Sequence, residues 1–184
     1  MTHKAKLLLI SLSLCLTGCH GHPRMIPNQV SSDEVAVYKA WLQDFFTRSK
    51  LSHKTWYVES ETGLYSQETA CDKQLIAQGV KAAYIQALRD LGTARYLIPA
   101  FDIGFARTFE PYRSPVDLKA PERSFVTYHF SRVAFSGDSS RAFFHVSGVT
   151  GPGIGQGGFG EDVLATRDAT GWHFRRVGCV AIID

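Results

Sequence analysis

The chain has 184 residues, a formal net charge of +3 and 45% hydrophobic residues, twelve of them phenylalanines. These proportions are typical of a folded globular protein and exclude an intrinsically disordered chain. Charges of both signs are interspersed along the sequence. Binding to nucleic acid would need a basic stripe, so a nucleic-acid partner is not expected.

The first 19 residues have the pattern of an export signal. Lys4 and Lys6 precede an apolar stretch over residues 7–16, and two small residues then lead to Cys19. The apolar run is about half of the roughly 20 residues that a membrane-spanning helix needs. An ordinary secretory signal with an incidental cysteine is the alternative interpretation.

The segment Leu16-Thr17-Gly18-Cys19 resembles the lipobox of bacterial lipoproteins. The resemblance implies that residues 1–18 are removed and that Cys19 becomes the first residue, carrying a thioether-linked diacylglycerol and palmitate. It further implies a lipid-anchored protein of the bacterial cell envelope, in the outer membrane facing the periplasm if the bacterium is Gram-negative. Two or three acyl chains attach a protein stably, so the membrane is the expected partner of this lipid.

The remaining chain divides into a tether and one domain. Residues 19–32 include Gly21, Pro23 and Pro27 without apolar periodicity, which indicates a flexible tether. Residues 33–184 have the length of a single globular domain. Its cysteines, Cys71 and Cys179, are expected to form a disulfide in an oxidising compartment, the alternative being two separately buried thiols.

Two helices are expected in the first half of the domain. Asp33 and Glu34 suit a helix start, and six apolar residues then recur at helical spacing. We expect this helix to pack on the protein's own sheet, although it could instead bind a partner. A second helix is expected over 72–91, ending at Gly92. The six apolar residues are Val35, Tyr38, Trp41, Leu42, Phe45 and Phe46.

The strand pattern comes mostly after the helices. Residues 55–58 predict one early strand, and residues 97–121 predict an irregular crossing rich in proline. From Ser124 onward the sequence predicts an antiparallel meander. The fold class is therefore α+β, with N-terminal helices packed on a C-terminal antiparallel β-meander. The strand spacing permits a helix-lined half-barrel similar to cystatin-like or nuclear-transport-factor-like folds.

The second half also resembles a β-meander of uncharacterised secreted bacterial proteins and lipoproteins. The similar segments are Ser131–Ser136, Gly137-Asp138, the glycines of 151–160 and Gly171-Trp172. The resemblance implies a β fold with a glycine-rich loop, and it carries no activity.

The glycine-rich loop is the predicted binding element. Residues 155–160 match G-x-G-x-x-G, but a strand and not a helix is expected next, so we expect no nucleotide and no other cofactor. Exposed glycine backbone on a rigid sheet could bind a partner, or the loop could be a passive connection. The candidate binding residues are Gly153, Gly155, Gly157, Gly158 and Phe159.

No catalytic residue or metal site is predicted. The strand histidines His129, His145 and His173 show no zinc-ligand spacing, and whether the first two share a face depends on the strand register. Ser147-Gly148 lacks the flanking pattern of a nucleophile elbow. The acidic residues Asp102, Glu110, Glu161 and Asp162 could pair, but the sequence does not show it.

The functional expectation is binding without catalysis. A small anchored domain with an exposed loop is typical of an inhibitor or immunity protein, which binds a protein or another envelope component. The alternative is a small envelope hydrolase or ligand carrier with a pocket between the helices and the sheet. Nothing in the sequence predicts the oligomeric state.

Overall fold

The computed structural model describes residues 28–49, 55–65, 71–109, 125–150 and 158–178, which hold three helices and seven strands. The helices are α1 (Ser32–Arg48), α2 (Asp72–Ala77) and α3 (Ala82–Leu91). The strands are β1 (Thr55–Glu59), β2 (Ala106–Phe109), β3 (Phe125–Phe130), β4 (Ala134–Phe135), β5 (Arg141–Thr150), β6 (Gly158–Asp168) and β7 (Gly171–Val177). The predicted signal and Cys19 lie outside the described residues.

The strands form one mixed sheet in the order β2-β1-β3-β5-β6-β7, with β4 also paired to β5. From β3 onward the neighbouring strands are antiparallel, as the sequence predicted. β1, however, is parallel to both of its neighbours, β2 and β3. The fold is therefore α+β, with the expected antiparallel meander extended by the parallel strands β1 and β2.

Helix α1 begins with a capping box. The Ser31 side chain accepts a hydrogen bond from the Glu34 amide, and the Glu34 carboxylate accepts one from the Ser31 amide. This arrangement satisfies two of the amides that a helix start leaves unpaired. The aromatic side of α1 then packs on the sheet as expected, with Trp41 only 1% exposed and Phe45 half-buried.

The same glutamate fixes α1 to the sheet. Glu34 is buried, and its carboxylate accepts hydrogen bonds from Arg132 Nε at 2.7 Å and from the Val133 amide at 3.1 Å. One turn later, Tyr38 Oη donates to the Ser131 carbonyl at 2.7 Å. The sequence predicted one strand over 124–135. The structure instead has two strands here, β3 and β4, and residues 131–133, which bond to α1, connect them.

The single helix predicted over 72–91 is two helices. Gly79 follows α2 with φ +86°, a conformation that glycine adopts at little cost, and the chain then turns into α3. The two helices pack against a second cluster of buried side chains, in which sheet residues Phe143, Leu164 and Val177 take part. None of the helices in the described ranges is long and apolar enough to cross a membrane.

Strand β2 lies within the segment predicted to be an irregular crossing. Its four residues pair in parallel with β1, from Trp56–Ala106 to Glu59–Phe109. The strand is thus formed by a partner distant in sequence, and the prolines around it obscure the local signal. Residues 110–121 of that crossing lie outside the described residues.

Candidate functional site

The two faces of the sheet differ in chemistry. One face, here called the aromatic face, carries alternate residues of each strand and is covered by α1. Its buried side chains include Trp56, Val58, Val126, Tyr128, Phe130, Phe144 and Val146. The opposite face carries the intervening residues and is here called the histidine face. It includes Tyr57, Glu59, Thr127, His129, His145, Ser147 and Asp162.

Two histidine–carboxylate pairs lie on the histidine face. His129 Nδ1 on β3 is 2.6 Å from Glu59 Oε2 on β1. His145 Nδ1 on β5 is 2.9 Å from Asp162 Oδ1 on β6, its direct cross-strand partner. The imidazoles are 28% and 33% exposed, whereas the Asp162 side chain is 4% exposed. Solvent therefore reaches both rings but hardly reaches one of the carboxylates.

The register brings the two pairs together. His129 lies opposite Ser147, two residues from His145 along β5. His129 and His145 are thus diagonal neighbours, about 7 Å apart. The uncertainty about a shared face is resolved, because both imidazoles project from the same side of the sheet.

Each carboxylate determines which imidazole nitrogen is free. An ionised carboxylate only accepts hydrogen bonds, so Nδ1 of each ring donates the proton in its pair. Nε2 of a neutral ring then carries the lone pair. Such a nitrogen can accept a proton from a substrate or a hydrogen bond from a partner.

A buried tyrosine borders His145. Tyr65 lies at the end of the segment after β1, with its ring centroid 6.0 Å from that of His145. Burial raises the pKa of the Tyr65 phenol, and the negative charge of Asp162 raises it further, while Arg89 opposes the shift. The phenol is therefore a neutral hydroxyl at physiological pH.

The absence of a side chain at Gly160 leaves room for the His145 ring. Gly160 on β6 lies opposite Ser147, and a Cβ atom there would come within 3.3 Å of Cε1 and Nε2 of His145. The His145 ring edge therefore lies over this glycine.

Thr127 is buried, and its hydroxyl has no hydrogen-bond partner in the structure.

The predicted glycine-rich binding loop falls mostly outside the described residues, including Gly153, Gly155 and Gly157. Gly158 and Phe159 begin β6. The Phe159 ring packs on the aromatic face, 5.9 Å from Tyr128 between ring centroids, and it lies over Gly148. Phe159 therefore contributes to the packing of the aromatic face.

The other residues considered from the sequence lie elsewhere. His173 is an exposed residue near the start of β7, with Nε2 3.0 Å from Asp168 Oδ2. Asp102 accepts a hydrogen bond from the Gly104 amide, and Glu110 lies outside the described residues. Glu161 is on the aromatic face and forms an ion pair with Arg176, so it cannot meet its neighbour Asp162.

The disulfide between Cys71 and Cys179 stays a prediction, since Cys179 lies outside the described residues. Cys71 immediately precedes α2. Gly178, the residue before Cys179, exchanges two hydrogen bonds with the Gln78 side chain at the other end of α2, at 2.8 and 3.1 Å. The chain before Cys179 therefore runs beside the short helix that Cys71 begins.

A surface depression of about 430 Å³ lies away from the histidine pairs, beside α3. Lys81, Tyr84 and Arg141 line it together with Asp138. Hydrogen bonds from Ser136 and Ser140 lower the pKa of Asp138 to about 2, so its charge opposes that of the two cations. The lining side chains therefore carry two positive charges and one negative charge.

The sequence contained a signal for the histidine face, but this signal is neither a zinc-ligand spacing nor a catalytic motif. In four strands, polar residues alternate with buried apolar ones. Examples are Thr127-x-His129 and His145-x-Ser147. The pairing of these strands, which the sequence did not fix, was needed to bring the polar positions together.

No protein-family model, curated protein or solved structure matches this chain. Within the described residues, no group of three or more His, Cys, Asp or Glu side chains is arranged to hold a metal ion.

Proposed function

We propose that this chain is a lipid-anchored protein of the bacterial cell envelope that binds a protein or envelope component through its histidine face, as an inhibitor or immunity protein would. The lipobox-like segment ending at Cys19 supports the anchor. The observation that supports the binding role is the presence of two partly exposed histidine–carboxylate pairs, Glu59–His129 and His145–Asp162.

These ion pairs are poor candidates for a purely structural role. The aromatic face supplies a core closed by α1, whereas partly exposed ion pairs contribute only about 0–1 kcal/mol each. Charged groups at an interface instead select the partner and its orientation. Val149 adds an apolar contact on the same face, since it is 52% exposed two residues beyond Ser147.

Site-specific photo-crosslinking in cells tests the binding role. A photoreactive benzoylphenylalanine replaces Val149 on the histidine face or Ile76 on the outside of α2, which is similarly exposed at 48%. We expect one discrete cross-linked species from position 149 and none of that size from position 76. The species should weaken when Glu59→Gln and Asp162→Asn are introduced together, since these changes remove both carboxylate charges.

Equal cross-linking from both positions, or a species that survives the charge removal, would contradict a binding role for this face. The anchor is tested separately by Cys19→Ala. We expect this variant to lose acylation, measured by mass spectrometry, and to leave the membrane fraction or remain unprocessed. A mature chain beginning elsewhere than Cys19 would contradict the lipobox interpretation.

A small envelope hydrolase is the second candidate, and a specific observation favours it. In both pairs Nδ1 faces the carboxylate, which leaves Nε2 of each exposed ring for acid–base chemistry. In the described part of the chain, aromatic side chains fill the space between α1 and the sheet. A reaction site is therefore better placed on the histidine face than under α1.

We further propose that the fold is cystatin-like or nuclear-transport-factor-like. Cystatin-like and nuclear-transport-factor-like folds place a helix against a curved antiparallel sheet, and α1 packed on strands β3 to β7 agrees with that arrangement. Such an assignment must also explain why β1 is parallel to both of its neighbours, β2 and β3.

A further inference from the structure

Four residues of the histidine face stand side by side across the sheet. His129 on β3 lies opposite Ser147 on β5, which lies opposite Gly160 on β6. On the other side of His129, the Glu59 carboxylate holds Nδ1 at 2.6 Å. The order across the strands is therefore carboxylate, imidazole, hydroxyl and glycine.

Ser147 is the direct cross-strand neighbour of His129. Directly opposed residues have Cβ atoms about 4.5–5.5 Å apart, so the serine and the His129 ring are adjacent. Ser147 is partly exposed, so a substrate can reach its hydroxyl. Glu59 occupies Nδ1 of His129, so Nε2 is the nitrogen left to accept the serine proton.

The His145 side chain, which is also on β5, reaches toward β6 at the same place. Its Cε1–Nε2 edge lies over Gly160, the residue opposite Ser147. Asp162 holds the other nitrogen, Nδ1, at 2.9 Å, so Nε2 is the nitrogen on the side of Gly160. A protonated His145 can therefore donate its Nε2 hydrogen to an oxygen that develops negative charge beside Ser147.

We propose that Ser147, His129 and Glu59 form a nucleophilic site that hydrolyses uncharged carboxylic esters. Ser147 is the nucleophile, His129 is the general base, Glu59 positions His129, and His145 stabilises the oxyanion. This inference rests on the proposed role of the histidine face and adds a reaction to it. With His129 neutral and His145 protonated, the two carboxylates leave one net negative charge at the site, which disfavours phosphate esters as substrates.

The reaction proceeds in two balanced steps. Ser147 Oγ attacks the ester carbonyl carbon while His129 Nε2 takes the hydroxyl proton. The bond to the alcohol oxygen then breaks, and the alcohol leaves with that proton, so an acyl-serine remains. Water attacks the acyl-serine, gives one proton to His129 Nε2, and releases the carboxylic acid as His129 returns the proton to Ser147 Oγ.

The first test uses the purified full chain in detergent with a fluorophosphonate, a reagent that modifies activated serines. We expect an adduct on the peptide that contains Ser147, located by mass spectrometry, and hydrolysis of p-nitrophenyl acetate. Ser147→Ala should lower the hydrolysis rate at least about 100-fold. Ser32→Ala is the control, since Ser32 is exposed at the first residue of α1. A folded protein without an adduct at Ser147, or a Ser147→Ala variant with full activity, would overturn the proposal.

Glu59 is tested as a positioning residue. Glu59→Gln should lower kcat with little change in KM and should alter the pH profile of kcat, because the amide no longer favours the required His129 tautomer. Glu59→Asp should restore part of the rate. Circular dichroism measures the folded fraction of each variant. A rate that falls only in proportion to this fraction would show that Glu59 is structural and would overturn this assignment.

The space over Gly160 gives a test that removes no reactive group. Gly160→Ala adds a methyl group within 3.3 Å of the His145 ring edge and should lower kcat, whereas Gly137→Ala places its methyl group in open space. Equal activity in the two variants would overturn the role of His145. Cross-linking from position 149 is independent of these assays, so loss of the esterase proposal and loss of the binding proposal are distinguishable.

Discussion

The aromatic face and the histidine face use the same strands for different purposes. On the aromatic face, α1 buries Trp41, which contacts Tyr128 and Phe130 edge-on with ring centroids 5.6 Å away in each case. On the histidine face, charged pairs remain open to solvent in the centre of the sheet. Apolar contact on one side can therefore maintain the fold while the other side carries chemistry that contributes little to stability.

The helices α2 and α3 sharpen this division. They cover only the part of the histidine face that is apolar, at Phe143, Leu164 and Val177. The next residues along the same strands are His145 on β5 and Asp162 on β6, at positions two residues away. The change from apolar to charged residues thus occurs within one face.

The largest expected effect is on the aromatic face. Trp41→Ala should lower the free energy of unfolding by about 3–5 kcal/mol, because the indole is fully buried. Urea titration measures it, with the exposed Ile76→Ala as the control, for which about 0.5 kcal/mol or less is expected. Comparable losses for the two variants would show that α1 does not close a core.

The second prediction concerns the predicted disulfide between Cys71 and Cys179. Cys71→Ser should cost about 2–4 kcal/mol under oxidising conditions and close to nothing in reductant. Thiol titration of the folded, unreduced chain is the direct measurement. Two reactive thiols per domain would show that the cysteines are separate.

A third prediction tests the close packing of the aromatic face. A Cβ atom at Gly148 would lie 2.3 Å from the Phe159 ring, so Gly148→Ala should cost about 1–3 kcal/mol. Gly158→Ala should cost less, because its new Cβ atom has no neighbour closer than 3.6 Å. A Gly148→Ala, Phe159→Leu double variant replaces the phenyl ring with a smaller side chain. It should recover part of the lost free energy of unfolding. No such recovery would indicate that the overlap with Phe159 is not the cause.

The smallest effect is expected on the histidine face. Glu59→Gln breaks a partly exposed pair and should change the free energy of unfolding by about 1 kcal/mol or less. Thermal unfolding alongside Trp41→Ala gives the comparison directly. A loss near that of Trp41→Ala would mean that the histidine face contributes to the core after all.

Local patterns in the sequence were sufficient for α1 and for the strands from β5 to β7. Ser31 and Glu34 mark the start of α1, and Gly171 stands in the last tight turn with φ +125°. The parallel strand β2 and the break between α2 and α3 were missed, since tertiary pairing and the turn at Gly79 determine them. The histidine pairs were unpredictable without the register, because a slip of one residue would have placed His129 and His145 on opposite faces.

The parallel pairing of β1 determines when the sheet can be completed. Trp56 on β1 pairs with Ala106 and Val126, which come much later in the chain, whereas β5, β6 and β7 pair with neighbours along it. Closing the long loops costs entropy before any contact compensates for it, so the local hairpins should form first. Glu59 arrives with β1 and His129 with β3, so their pair forms among the last contacts of folding. When the complete chain refolds, the hairpins of β5, β6 and β7 should therefore form before the Glu59–His129 half of the site exists.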